Sequence, residues 1–371
     1  MSETEAIIVG GGISGLYTAF NLQKADVSYV LLEAKSIVGG RVAGKPALPH
    51  SDLSVDLGPT WFWPHQNTIK QLLTQLNIEW FEQYSEGENL YHMHPDEVPS
   101  RTYSSAYTMA SYRVNGGMQK LIAALTQNLE PKSIKTEHAV IMIRKKKNIW
   151  QVTTTHHERE KTFEANQLVL ALPPRLILKH LTPEHCLSEK LINDLRVQQT
   201  WMAGQAKFVA VYDKPFWREN NLSGQAFSQV GPMVEIHDAS STQDTGFALF
   251  GFIGLPFPVR TQFTNEQLKS QCVAQLGVLF GPEALHMKAS YLKDWAQDKW
   301  VATDMDIKES PRHAEFASTK HQEELESLRL HLAASEFAQL EAGYLEGALL
   351  AADAVVHTVK SYRQKDSSYM L

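Results

Sequence analysis

Apolar residues recur along the chain with two periods, one of strands and one of helices. Residues 6–9 (Ala-Ile-Ile-Val) form an unbroken apolar run, too short for a helix and followed at once by glycines. That is the pattern of a buried parallel strand running into a tight turn. Residues 16–23 have helical spacing, and residues 27–32 form a second apolar strand ending at Glu33. Together they predict a β-α-β unit and hence a parallel sheet. A helix follows with apolar positions at Ile69, Leu72, Leu73 and Leu76. Residues 138–172 predict a strand meander: His138 to Ile143, a basic turn over Arg144 to Asn148, Trp150 to Thr155, and Gln167 to Leu172 stopped by Pro173 and Pro174. Between 184 and 292 helices mix with strands, notably over 206–212 and 247–253. A last strand over 328–334 precedes an alanine-rich helix over 343–358. There is no internal repeat and no low-complexity segment.

The turn after the first strand carries chemistry. It fits G-x-G-x-x-G with Gly10, Gly12 and Gly15, and an acid, Glu33, stands 18 residues beyond the last glycine. Gly10 permits the turn, Gly12 lets the backbone approach a pyrophosphate, and Gly15 lets helix and strand pack closely. The helix N-terminus supplies N–H groups and positive potential for the phosphates. A free carboxylate at Glu33 accepts hydrogen bonds from a ribose diol and disfavours a 2′-phosphate, which argues against NADP. The next segments do not read as a second nicotinamide-binding half. Gly39-Gly40-Arg41 comes six residues after Glu33, then a Pro/His/Ser-rich loop, then Val55-Asp56-Leu57-Gly58-Pro59-Thr60-Trp61-Phe62-Trp63.

Composition narrows the partners. The 371 residues suffice for two to three domains of about 150 residues each, with a large core needing neither disulfides nor metals. Thirty-five basic against 41 acidic residues, net charge −6, argue against nucleic acid, and the lysine run at 145–147 reads as a solvated hairpin turn. Cys186 and Cys272 are far apart and in no Cys-x-x-Cys pattern, which excludes a disulfide scaffold and a cysteine-built zinc site. His92-Met93-His94 with Glu97 lacks a third ligand at helix or strand spacing, so no metal is expected. The acidic Met1 to Glu5 does not resemble a signal peptide, and no apolar run reaches the roughly 18 residues of a spanning helix, the best candidate, 247–259, being broken by glycines and prolines. The expectation is a reduced, soluble, cytoplasmic chain without a membrane partner.

In their order along the chain these segments resemble the flavin-containing amine oxidases, the family of monoamine and polyamine oxidases. Gly10 to Gly15 with Glu33 resembles the family's FAD-binding start, and Glu33-Ala34 through Gly39-Gly40-Arg41 its Glu-Ala…Gly-Gly-Arg signature. Val55 to Gly58 with Pro64 and Gln66-Asn67 is similar to its second flavin segment. Val114 to Met118, Ala139-Val140-Ile141, Leu170 to Pro174, Ala206-Lys207-Phe208 with Pro215-Phe216-Trp217-Arg218, Trp295, and Ser335-Glu336 through Gly343 to Ala348 continue it. The resemblance implies an α/β fold: a Rossmann-type FAD-binding domain of discontinuous segments (1–70, 112–183 and 293–371) and a mixed-sheet α+β substrate domain (71–111 and 184–292). It assigns the FAD contacts to Gly10, Gly12, Ile13, Ser14, Gly15, Glu33, Ala34, Gly40, Arg41, Gly58, Pro59, Thr60, Val140, Trp295, Glu336 and Tyr344.

The same resemblance gives two residues catalytic roles. Strand alternation puts Lys207 on one face with Val209 and Val211, where a cation is costly to bury unless something needs it; in the family a lysine here holds a water against flavin N5. Tyr344, beside Gly343 at the start of the last helix, matches one wall of the aromatic pair that guides an amine to the flavin. The stretch after Trp295 reads Ala302-Thr303-Asp304-Met305, without the second tyrosine and the flavin-bonded cysteine of monoamine oxidases. FAD is therefore expected to be non-covalent, and the second wall to be missing or rebuilt from Trp300 or Trp61. Only about 50 residues separate Pro64 to Asn67 from Gly116, so the helices that roof the cavity are expected to be reduced. For an amino-acid substrate Arg101, Arg113 and Arg260 are the candidate carboxylate clamps. The implied activity is oxidation of an amine-type small molecule to an imine with molecular oxygen as acceptor. A flavin desaturase or dehydrogenase on another substrate, and a flavin-binding protein with little turnover, are the alternatives. The oligomeric state is not legible.

Overall fold

The computed structural model describes residues 4–103, 110–180, 187–242, 245–310, 312–313 and 318–368. Its nucleus is the expected unit, β1 (Ala6–Val9), α1 (Ile13–Lys24) and β2 (Tyr29–Leu32). Every residue of β1 and β2 is buried because both faces of their sheet are covered. The sheet has five strands, all parallel, in the order Leu330–Leu332, Gln167–Leu170, β1, β2, Ile134–Lys135. Alternation then sorts the side chains. Ala6 and Ile8 pack with Leu16 and Leu22 of α1 and with Leu349 and Val356 of the final helix, α2 (Leu345–Ser368). Ile7 and Val9 face Ile143, Trp150 and Val152 of a three-stranded antiparallel sheet. The result is helices, a parallel sheet and a small antiparallel sheet in three layers.

The small sheet corrects the expected meander. Its strands are Ala139–Lys146, Ile149–His156 and Arg159–Ala165. The first two pair Lys146 with Ile149 across a turn of two residues, Lys147 being left-handed. Arg144, Lys145 and Lys146 therefore belong to the strand, and Lys145 lies over the Trp150 ring with its Nζ donating to the Leu328 carbonyl. The third strand is almost wholly exposed and shows little apolar alternation. Its turn, His157 and Glu158, is left-handed at both positions without the usual glycine or asparagine. Gln167–Leu170 leaves the meander to pair parallel with β1. The last helix runs ten residues beyond the expected Thr358.

A second, seven-stranded sheet has the order Ala289–Asp294, β3 (Ala206–Tyr212), Phe247–Ile253, Met233–Asp238, Leu222–Ser228, Glu88–His92, Ser100–Tyr103. It is mixed, since Leu222–Ser228 runs parallel to Glu88–His92 while the other pairs are antiparallel. On one face Phe208 and Ala210 pack against Leu268, Cys272 and Leu276 of the helix Asn265–Phe280, which Thr264 and Gln267 open as a capping box. On the other, Val209, Val211 and Phe250 meet Leu53, Val55 and Leu57, from the hairpin that pairs Gly44–Pro46 with Ser54–Asp56 and the turn after it. Lys207 lies on this second face, at the end of β3 nearest the parallel sheet's ligand-binding edge. Among the described residues no helix is long and apolar enough to cross a membrane.

Candidate active site

A cavity of about 350 Å³ runs from the carboxyl ends of β1 and β2 to Lys207 on β3. In open parallel sheets this edge is where ligands bind, because strand ends and helix starts leave a crevice there. At its first end Gly10, Gly12, Ile13, Ser14, Glu33, Ala34, Gly40, Arg41 and Val140 line the wall. Gly10 has φ +106°, and a Cβ there would fall 2.5 Å from the Ala171 carbonyl oxygen. Gly15 does not line the cavity: it stands one layer behind, where a Cβ would sit 1.9 Å from the Gly10 oxygen. The sequence pattern thus encodes one glycine for the turn and one for the helix pressed against it.

Glu33 is buried, and its carboxylate accepts from the Gly11 N–H at 2.7 Å and the Lys35 N–H at 2.8 Å. Burial raises its pKa while these N–H donors pull the other way. Gly12 caps α1 without any side-chain hydrogen bond, and the first turn of α1 holds no acid. An N-terminus left open in this way attracts phosphate. His138 also lines this end, its ring stacked 4.3 Å from His156; neither was singled out in the sequence.

At the other end Gly58, Pro59, Thr60, Lys207, Trp295 and Tyr344 line the wall. The Lys207 ammonium donates to the Gly58 carbonyl at 3.1 Å and to the Thr60 hydroxyl, and lies 3.9 Å over the Phe250 ring. Burial pushes its pKa down to about 7; buried Asp56 opposes that and Arg113 adds to it. Trp295 donates its indole N–H to the Leu57 carbonyl at 3.0 Å, fixing the same turn from the other side. Tyr344 stands just ahead of α2, its carbonyl accepting from Ala348.

The rings packed on Tyr344 are Trp63 at 5.3 Å, His313 at 5.6 Å and Trp201 at 6.2 Å, with Trp201 stacked 3.9 Å from His313. Trp61 and Trp300 line the cavity too, but Trp61 packs against His237 and Phe250 and donates to Gln83. Trp63 and Trp201 were not foreseen, because each sits in an irregular segment without periodicity. Trp201 is held through its peptide groups: its N–H donates to Glu336 at 3.2 Å and its carbonyl accepts from Arg41 at 3.2 Å. Glu336 does not line the cavity. It is fully buried behind it, and although burial pushes its pKa up, Arg41 at 2.6 and 2.9 Å and the Ser335 hydroxyl hold the carboxyl below the usual range. The sequence grouped Arg41 and Glu336 at one site; they meet as an ion pair between a half-buried guanidinium and a fully buried carboxylate.

Arg101, Arg113 and Arg260 do not line the cavity. Arg260 makes a two-pronged pair with Asp294, Arg113 bonds the Ser240 carbonyl near Asp56, and Arg101 lies on the exposed strand beside Glu88. Cys272 is buried under the mixed sheet, where burial raises its thiol pKa to about 12; Cys186 lies outside the described residues. The site fits a dinucleotide of the flavin type. It offers an uncapped helix start and a buried carboxylate at one end, and at the other an apolar, aromatic chamber for a ring.

The pattern of the flavin containing amine oxidoreductases matches residues 99–359, and that of an NAD(P)-binding Rossmann-like domain matches residues 8–76. A probable flavin-containing monoamine oxidase A of Dictyostelium discoideum is 22% identical, over 93% of this chain and 95% of its own. An L-amino acid dehydrogenase of a Synechocystis species is 21% identical over 96% and 95%. The solved cyclohexylamine oxidase of Brevibacterium oxydans, 16% identical, superposes with a TM-score of 0.80 over 98% of this chain and all of its own. With a Rossmann-type FAD-binding half joined to a mixed sheet, and a family pattern spanning most of its length, this chain is a flavin-dependent oxidoreductase belonging to the flavin containing amine oxidoreductases.

Proposed function

We propose that the protein oxidises the carbon–nitrogen bond of a small amine to an imine, with non-covalently held FAD and with oxygen as the acceptor. The observation that carries this reading is the buried Lys207 ammonium at the aromatic end of the cavity, tied to the Gly58 and Thr60 turn and reached past Tyr344. A flavin held there by Gly58, Pro59, Thr60, Trp295 and Tyr344 would supply the two-electron acceptor for the hydride equivalent lost from the amine's α-carbon, the nitrogen losing a proton as the imine forms. The protein's part is to bind, orient and exclude water. Tyr344, Trp63 and Trp201 offer flat apolar faces that desolvate an amine and so favour its neutral, reactive form. Lys207 holds a proton close to neutrality and keeps it at a fixed point, bonded to Gly58 and Thr60. A positive Nζ there favours negative charge building up beside it. The three arginines that might have clamped a carboxylate are occupied elsewhere, which favours an amine without a carboxylate.

In the same reading Gly10, Gly12, Ile13, Ser14, Glu33, Ala34, Gly40, Arg41 and Val140 hold the nucleotide, with Gly15 and Glu336 as their supports. Gly58, Pro59, Thr60, Trp295 and Tyr344 surround the ring. The parallel-sheet segments (1–70, 112–183, 293–371) form the FAD domain and the mixed-sheet segments (71–111, 184–292) the substrate domain. Non-covalent attachment is supported by the placement of Cys272, remote from the cavity. Two measurements test the proposal. Steady peroxide formation with a panel of arylalkyl and cycloalkyl amines is expected, and acid precipitation should leave all the flavin in the supernatant. Flavin that no amine reduces under anaerobic conditions would overturn the amine reading.

A further inference from the structure

Asp298 lies behind the cavity wall, bonded to lysines from both halves of the fold. It follows the short helical turn Trp295–Gln297, and its carboxylate accepts from Lys35 at 2.7 Å and from Lys293 at 3.1 Å. The two lysines come from different parts of the fold. Lys35 belongs to the nucleotide wall: its backbone N–H holds the Glu33 carboxylate, and the residue lines the cavity. Lys293 is the direct cross-strand neighbour of Lys207 and lies 4.4 Å over the Trp295 ring. Asp298 also caps the Trp300 N–H at 3.1 Å, and its carbonyl accepts from Val301 and Ala302, so it sets the stretch whose Trp300 and Val301 line the cavity facing Lys35.

The side chains of this triad are only partly covered, 24% exposed for Lys35, 9% for Asp298 and 28% for Lys293. They thus lie at the solvent side of the walls they connect. Two like charges opposite each other on paired strands repel; Asp298 offsets this at Lys293, and its second partner is Lys35. We infer that Asp298 is a latch for the cofactor: through Lys35 it fastens the Glu33 wall to the Trp295–Val301 stretch, and that bond must open before a dinucleotide leaves. With no cysteine beside the ring among the described residues, such a latch sets retention without a covalent bond. The inference rests on the proposal that the cavity holds FAD non-covalently.

The test uses the purified holoenzyme and two variants, Asp298→Asn and Lys35→Met, and follows the rise in flavin fluorescence after dilution. For the natural chain, release should speed up as salt rises from about 0.02 M to about 0.5 M, because a partly exposed ion pair is screened. Each variant should release FAD roughly tenfold faster at low salt and lose most of the salt dependence. Thermal unfolding of holo and apo forms is the second readout: the variants should lower the holo midpoint more than the apo midpoint. Release rates within about twofold of the natural chain would overturn the latch, as would equal losses in holo and apo forms, which mark a plain structural brace. If Asp298→Asn does not fold, Lys35→Met decides, since it breaks the bond from its more exposed end. A natural chain that takes up no FAD at all overturns the flavin reading instead, an outcome distinct from unchanged release.

Discussion

The two ends of the cavity are built by opposite means. At the nucleotide end the glycine turn and the helix start offer backbone N–H groups beside the Glu33 carboxylate within the first 33 residues, and the cations on the same wall, Lys35 and Arg41, are paired with Asp298 and Glu336. At the ring end the Gly58-Pro59 turn supplies backbone, but side chains dominate. The walls are Trp63, Trp201, Tyr344 and Trp295, and the charge is a single buried lysine on a strand of the other sheet. The first end recognises a ligand common to many proteins, so a local turn suffices. The second must suit one substrate, and it is assembled from side chains that can be exchanged one at a time without disturbing a turn. Rigid backbone fixes what is general, and replaceable side chains fix what is particular.

The sharpest way to break this comparison is Lys207→Met. If the ring end depends on one charge, reoxidation of the reduced enzyme in air-saturated buffer should slow by about 10²–10³-fold, with FAD still stoichiometric. The natural enzyme's rate should also fall as pH rises through about 7, where the ammonium loses its proton, and the variant should show no such step. Stability supplies a separate readout. Folding lowers the pKa from its ordinary 10.5 to about 7, so between those values the unfolded chain binds a proton that the folded chain does not. Stability therefore rises with pH across that window and is flat below it. Lys207→Met should remove the slope and hold or raise the melting temperature. Rapid mixing and thermal melts across pH check both, and an unchanged reoxidation rate would make Lys207 a structural residue.

Glu33→Ala tests the other end. Its carboxylate makes two backbone bonds as well as the expected ribose contacts, each charge-assisted bond being worth about 1.5–3 kcal/mol. FAD affinity should drop by about 10²-fold while the fold survives, as read by flavin-to-protein ratio after gel filtration. Full occupancy would remove Glu33 from the nucleotide site.

A smaller effect is expected from Trp201→Ala, which opens one wall. The kcat/KM for an arylalkyl amine should fall by about tenfold, mostly through KM, and Trp201→Phe should restore most of it. A loss of FAD in place of a KM change would blur the two ends into one. The smallest effect belongs to Glu346→Ala, which touches neither end directly. Its carboxylate accepts from the N–H groups of Thr68 and Ile69 at 2.8 and 2.9 Å and so caps the helix Asn67–Gln75 from α2. The melt should drop by the equivalent of about 1 kcal/mol with flavin content unchanged.

The contrast also explains what the chain discloses when read as letters. The unit from Ala6 to Glu33 was legible because each requirement, from glycine to acid, is met within one stretch. The face that Lys207 shares with Val209 and Val211 was legible from strand alternation, while a role for the lysine came only with the family resemblance. Gln167–Leu170 was assigned to the wrong sheet, since its apolar run does not reveal that its neighbour is β1, over 150 residues away. Arg159–Ala165 went unseen because an almost wholly exposed strand shows little apolar alternation. Trp201 carries no pattern: its place follows from Arg41 and Glu336, whose meeting no spacing foretells.

The Ser14 hydroxyl donates to the carbonyl of Ala333, joining the first helix to residues more than 300 positions later. Leu330–Leu332 ends the parallel sheet on that side, and Ala334, Ser335, Tyr344 and the start of α2 complete the walls. During synthesis, then, the glycine-rich turn leaves the ribosome long before the far wall exists, and a nascent chain can grip the nucleotide only by its first half. A chain that ended short of residue 330 would keep its signature turn and lack the side of the cavity that Ala334, Ser335, Gly343, Tyr344, Leu345 and Ala348 supply.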